Sequence, residues 1–225
     1  MRPLLALIAL LLTACGEAPP PAAPPPPAPP PVLAPPVPEQ DLYKLLVGGS
    51  GFHAEMGLAG LRQRFGADQV VEAPVPLGEG SSEPGAVIYP NDPSRRAYVY
   101  LVDGKADGKL SAIYVRDPDS RWRGPLDLKI GMSSTELDQL NGRPFRFLGF
   151  DWDYGGYVSN WAEGVLATAL LAPGHLAVRL APPALAEGEE RAADYPAGDS
   201  EFPSDLPSVR AQPPVVVEFG VAFGP

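Results

Sequence analysis

The sequence predicts an α+β fold: two halves, each a short helix followed by four short strands, building one or two antiparallel sheets with the helices on one face. Three observations carry this. Between residues 40 and 181, helix-period and strand-period segments follow one another in the same order twice, with Gly-containing turns between the strands. Hydrophobic residues are 45% of the 225, enough for a core. The 31 prolines are unevenly spread, with 13 of them in residues 18–38, so the stretch before the body belongs to neither helix nor sheet.

The chain opens with Arg2 and an apolar run over 4–12, far shorter than the roughly 20 residues that a membrane-crossing helix needs. Its form is that of a processing signal. The run closes on Leu12-Thr13-Ala14-Cys15, and Cys15 is the single cysteine of the chain. One cysteine excludes an internal disulfide and a Cys-based zinc site. These four residues resemble the lipobox of bacterial lipoproteins. The resemblance implies removal of residues 1–14 as a signal peptide, a diacylglycerol on the Cys15 sulfur, and an acyl chain of the palmitate class on the new amino terminus. Several acyl chains hold a protein stably on a membrane. The sorting rule of those lipoproteins reads Gly16 as a signal for the outer membrane, with the body facing the periplasm. An ordinary secretory signal that ends in Cys is the duller reading.

Residues 15–39 then form a lipidated cysteine and a linker. Between 18 and 38 almost every residue is Pro or Ala, with Val32, Leu33 and Val37 as the larger side chains. Proline fixes φ and lacks an N–H, so polyproline II is the expected state; at ~3.1 Å per residue, 21 residues span about 65 Å. The segment reads as a disordered stalk holding the body off the membrane, as a plain tether, or as a proline ligand for a peptide-binding domain.

The body is expected over 40–181, in halves 40–125 and 126–181. The glycines at 48, 49 and 51 around Ser50 and Phe52 read as a flexible hinge. They lack the second glycine of a nucleophile elbow and the spacing of a phosphate-binding loop. Leu58, Leu61 and Phe65 then share one helical face, with Gly66 as the stop. Strands are expected at 69–73, 86–90, 96–103 and 110–117, the last two joined through Asp103-Gly104 and Asp107-Gly108. Arg121-Trp122-Arg123 reads as a basic strand end or a rim contact. A second helix spans 134–141, followed by strands at 145–152, 157–161, 165–172 and 175–181.

That second helix carries the most specific motif of the body. Ser133 and Glu136 form an S-x-x-E capping box, Met132 and Leu137 have hydrophobic-staple spacing, Gly142 suits a left-handed closing residue, and Pro144 blocks extension. Residues 130–144 resemble the G-M-S-x-x-E-L-x-x-L-x-G-x-P element of the SmpA/BamE-type outer-membrane lipoproteins and the related modules of β-lactamase inhibitor protein. The resemblance implies short helices before an antiparallel sheet, and a role in binding other proteins without catalysis. In the first half Gly57, Leu58, Leu61 and Gly66 echo the pattern, but the Ser/Glu box and the Pro are missing.

Over 182–214 the pattern dissolves. Seven acidic residues between Glu187 and Asp205 face one Arg191, a net of −6, which reads as a flexible segment or an acidic partner-binding tail. Residues 215–225 look like one more strand returning to an open sheet edge.

Formal net charge is −10, which argues against nucleic acid as a partner, since phosphate binding needs a basic surface. His53 and His175 both sit in turn-like contexts, so neither reads as catalytic. Asp151-Trp152-Asp153-Tyr154-Gly155-Gly156 fails as a calcium loop, with Gly155 at the fifth position and Ala162 at the twelfth. Trp152, Tyr154, Tyr157 and Trp161 are instead the side-chain types that dominate contact surfaces, and they are the candidate partner contact, with core packing as the plainer alternative. No metal site and no cofactor is expected. The expected function is a lipid-anchored envelope protein that binds a protein or envelope component without catalysis. The alternatives are a carbohydrate-binding or hydrolytic envelope enzyme using Asp151 and Asp153, and a tethered structural scaffold.

Overall fold

Ala97-Tyr98-Val99-Tyr100-Leu101 alternates side by side, and so does Leu110-Ser111-Ala112-Ile113-Tyr114-Val115 in its second part; both segments are strands that bury one face and leave the other half-open. The structure is a computed structural model that describes residues 43–45, 51–170 and 174–224. The expected signal peptide, Cys15, the proline-rich stretch and residues 48–50 lie outside the described residues. Those described all fall in one unit, Pro36–Pro225.

Helix α1 (Gly57–Phe65) is followed by β1 (Val70–Pro76), β2 (Ser82–Ile88), β3 (Ala97–Leu101) and β4 (Leu110–Val115), the order expected of the first half. Helix α2 (Ser134–Asn141) is followed by β5 (Arg146–Leu148), β6 (Val158–Asn160) and β7 (Gly174–Ala181). Then come β8 (Glu201–Pro203), α3 (Pro207–Ala211) and β9 (Val215–Phe223). Pairing between strands is antiparallel throughout. Six strands make one sheet in the order β1-β2-β3-β4-β9-β7, and three make a smaller one in the order β6-β5-β8. The chain is an α+β protein.

Four expectations need correcting. The strand expected at 165–172 is a 3-10 turn over Val165–Thr168. Leu166 and Leu170 are buried and Val165, Ala167 and Thr168 exposed, which is helical spacing, and the Leu166 N–H is taken by Asn141 Oδ1 at 3.1 Å. The strand expected at 145–152 stops at Leu148, because a tight turn with Asp151 at φ +68° follows. The acidic stretch read as flexible carries β8 and α3 and buries Tyr195, Ser204, Ser208 and Val209. Ser204 accounts for much of that order: its hydroxyl donates to Asp138 Oδ1 at 2.5 Å and accepts the Phe145 N–H at 2.9 Å, tying the stretch to α2. Finally, β9 is not at an edge; it lies between β4 and β7.

The main core fills the helix-covered face of the large sheet. There Val99, Ile113, Val115, Phe219 and Val221 meet Leu58, Leu61 and Phe65 of α1 and Leu137 of α2. Trp122 lies fully buried in this core, with ring centroids 5.6 Å from Tyr43, 5.9 Å from Phe65 and 6.1 Å from Phe52. Its indole N–H donates to the Arg95 carbonyl at 2.8 Å. Neither a rim contact nor a plain strand end, Trp122 is a core anchor. Phe52, read as part of a hinge, is fully buried beside it.

Helix α2 starts as the motif dictates. Glu136 N–H donates to Ser133 Oγ at 3.2 Å, and Ser133 N–H donates to Glu136 Oε2 at 2.8 Å. Gly142 closes the helix at φ +76°, a conformation that costs glycine little. Replacing Ser133 by alanine should cost about 1 kcal/mol, read as a lower denaturant midpoint at neutral pH. The Ser133 N–H and hydroxyl hold the Glu136 carboxyl below its usual range. A depressed carboxyl stabilises above its unfolded pKa and loses that contribution as pH falls through the folded value, so parent and variant should converge in acid. An unchanged midpoint at neutral pH would mean that the box does not start the helix.

Candidate functional site

The other face of the large sheet carries a second, smaller cluster of buried residues, Val75, Val87, Tyr100 and Ala112, with Tyr98 and Tyr114 packed against it. Alternation sends Tyr98 and Tyr100 of β3, Ala112 and Tyr114 of β4, and Glu218, Gly220 and Ala222 of β9 to this side, away from the core. The register aligns them: Tyr98 faces Tyr114, Tyr114 faces Gly220, and Glu218 faces Arg179 of β7. A bridge from Arg179 to Tyr157 continues the row. An added Cβ at Gly220 would come within 2.5 Å of the Tyr114 ring, so the missing side chain makes room for that ring to lie across β9.

Tyr100, Ala112, Tyr114, Glu218 and Ala222 floor a groove of about 720 Å³, walled by Pro76 and the turn after β1 and by Asp153 and Tyr154, within the size range of ligand sites. Four tyrosines line it: Tyr100, Tyr114, Tyr154 and Tyr157. The Tyr100 and Tyr114 rings sit 5.5 Å apart at 83°, an edge-to-face geometry favoured by the ring quadrupole.

The floor is held by one buried charge network. Glu218 is 4% exposed. It accepts hydrogen bonds from Arg116 Nε and from the Tyr157 hydroxyl, the latter at 2.7 Å. Arg116 Nη2 donates to the Tyr100 hydroxyl at 2.8 Å, and that hydroxyl donates to the Pro76 carbonyl at 2.5 Å. The Arg116 guanidinium lies 5.2 Å from the Tyr98 ring centre. Burial works against the Arg116 charge, but Glu218 and Tyr100 outweigh it and raise its pKa. Burial first, then the Glu218 charge, push the Tyr114 hydroxyl up to about 12 and the Tyr157 hydroxyl higher still. Tyr114 and Tyr157 therefore stay neutral donors across the physiological range. Arg179 spends its Nε on the Gly155 carbonyl at 2.9 Å and stacks over the Tyr157 ring at 5.3 Å.

The candidate contact residues separate. Tyr154, 62% exposed, and half-buried Tyr157 line the groove. Half-buried Trp152 packs edge-on against Tyr154 at 5.4 Å and lines a neighbouring depression of about 260 Å³. Trp161 packs 5.5 Å from Phe145 against the core and lines neither. Asp153 lines the groove and Asp151 the neighbouring depression, so the two carboxylates are not brought together. His175 Nε2 meets the Gly224 carbonyl at 2.7 Å, and His53 is exposed outside the groove. Among the described residues no group of three His, Cys, Asp or Glu could hold a metal ion.

Reading the sequence missed Arg116, Glu218, Arg179, Tyr100 and Tyr114. One signal was there: Glu218 stands inside the otherwise apolar run Val215-Val-Val-Glu-Phe-Gly-Val-Ala-Phe223, and an acid in the middle of a buried strand needs a partner. The class that fold and groove define is an α+β protein with one sheet face covered and the other hollowed into a tyrosine-lined trough. No protein-family model, no curated protein and no solved structure matches the chain.

Proposed function

We propose that this is a lipid-anchored envelope protein that binds a protein or envelope component through the tyrosine-lined groove, without catalysis. The observation that carries the reading is the groove itself. Tyrosine and arginine are the residues that most often dominate binding energy, and here Tyr157, Tyr100 and Arg179 are held by hydrogen bonds to Glu218, Pro76 and Gly155. The floor's acid is already engaged by Arg116 and Tyr157, an arrangement that preserves shape rather than moving protons. The anchor rests on the lipobox residues Leu12-Thr13-Ala14-Cys15. The likeness of residues 130–144 to the SmpA/BamE-type lipoproteins supports a protein-binding role, and Gly16 after Cys15 supports the periplasmic side of an outer membrane.

The test uses the full chain in intact cells, with a photo-crosslinking residue at exposed Tyr154 and, as a control, at exposed Leu126, which lies outside the groove. A discrete product from position 154 and none from 126 is the expected result. No product, or the same products from both, would leave a structural scaffold as the better reading. In the same cells Cys15→Ser should yield a precursor that keeps residues 1–14 and carries no lipid. Normal cleavage and membrane fractionation of that variant would remove the anchor from the proposal.

A further inference from the structure

We infer that the groove takes a stretch of uncharged sugar chain, an envelope glycan, with one pyranose ring stacked on Tyr154. The inference rests on the groove being a binding site and names the chemical class of what fills it.

The aromatic contribution comes down to one ring. Tyr100 is only 6% exposed, and its edge-to-face contact with Tyr114 engages the two rings with each other. Arg116 lies over the Tyr114 ring at 5.9 Å and Arg179 over the Tyr157 ring at 5.3 Å. Tyr154 stands apart. It is 62% exposed, no guanidinium of the described residues lies over it, and Trp152 braces it at 5.4 Å. A pyranose packs the C–H groups of one face on such a ring, because their weakly positive hydrogens meet the negative π face. Its hydroxyls stay around the rim, free for polar partners.

Those partners are present, and of both kinds. Glu79, Asp153 and the Ser111 hydroxyl line the groove without a side-chain hydrogen bond or ion pair to any described residue. Arg179 gives only its Nε to a protein acceptor among the described residues. A carboxylate accepts from a hydroxyl and a guanidinium donates to one, so a polyol uses the whole set. A ligand of one charge sign fits only part of it. An anion would face Glu79 and Asp153 on a chain with a net charge of −10, and a cation would lie against Arg179. Arg116 and Glu218 already satisfy each other, so an uncharged ligand covers them without burying a new unpaired charge.

A peptide would lack its usual handle here. Extended peptides gain main-chain hydrogen bonds from an open strand edge, but the floor strands β4 and β9 are each paired on both sides. The groove lies over a sheet face whose backbone groups are already spent, and recognition is left to side-chain hydroxyl, carboxylate and guanidinium groups.

The test titrates the full-length protein, as isolated from cells, with N-acetylchitotetraose, cellotetraose and maltotetraose by calorimetry. Saturable binding of at least one of the three is expected, with the same affinity at low and high salt. Tyr154→Ala, at an exposed position that leaves folding intact, should weaken it about tenfold. Tyr154→Trp should keep it within about twofold, because the stacking platform remains. Asp153→Ala should weaken it about fivefold. Leu126→Ala, exposed and outside the groove, should change nothing. Failure of all three sugars to bind overturns the inference, as does binding that Tyr154→Ala leaves intact, that Tyr154→Trp loses as fully as Tyr154→Ala, or that disappears in high salt. If the sugars fail while the crosslink from Tyr154 still captures a discrete protein, the inference falls and the binding function stands. If both experiments fail, both readings fall.

Discussion

Replacing Trp122 by alanine is expected to cost about 3–5 kcal/mol, enough to unfold the body in much of the population. The side chain is fully buried and meets three rings, and its removal leaves a large cavity as well as a buried Arg95 carbonyl without its donor. Trp122→Phe should recover the packing in part but not the hydrogen bond, and so fall between the two. Urea denaturation with an unchanged slope is the measurement. The half-buried Trp152 supplies the contrast, since Trp152→Ala should cost much less. If the two alanine variants had equal midpoints, the ring cluster around Trp122 would not be the centre of the core.

The second large effect is expected at Glu218. Glu218→Ala should cost about 3 kcal/mol, because Arg116 is left with its charge unanswered at 27% side-chain exposure and Tyr157 loses its acceptor. Adding Arg116→Met to Glu218→Leu should restore most of that loss, since an apolar pair needs no compensation. A double-mutant cycle read by denaturant midpoint separates the pair from its surroundings. Additive losses would mean that the two side chains do not support each other. The stability-recovered double variant should still fail in the crosslink from Tyr154, because the Tyr157 hydroxyl has lost Glu218 and the Tyr100 hydroxyl has lost Arg116.

How much of this could be read in advance follows from how local each determinant is. Helix α2 was legible to the residue, because Ser133, Glu136 and Gly142 act within one or two turns of the backbone they cap. Strands β1 to β4 were legible as existing because alternation is local, though their ends moved by several residues. The groove was half legible. Tyr154 and Tyr157 announced themselves as a cluster beside Gly155-Gly156, but Arg116, Glu218 and Arg179 meet through a strand pairing that spans 102 residues between Arg116 and Glu218, and no pattern in the chain specifies it. The run Val165-Leu-Ala-Thr-Ala-Leu170 misled because its apolar content suggests a strand, whereas the spacing of Leu166 and Leu170 already fits a helical turn. The acidic stretch misled for the opposite reason. Its few anchors, Tyr195, Phe202, Leu206 and Val209, are sparse and broken up by Pro196, Pro203 and Pro207, and they are held by contacts with distant segments such as β5.

The place of β9 in the large sheet bears on how the chain becomes a folded body at all. β9, which follows every other described strand in the chain, is inserted between β4 and β7, which have no other full-length partner on those sides. Until residue 223 is available, β4 presents one bare edge and β7 two, so a growing chain holds sticky templates for pairing with its neighbours. Four strands of the first half can zip as hairpins early, but the rest waits for a contact between the ends of the body, and loop closure over that distance is slow. Completion of the large sheet therefore waits on β9. A variant lacking residues 215–223 is expected to accumulate as aggregate rather than as a weakened native state.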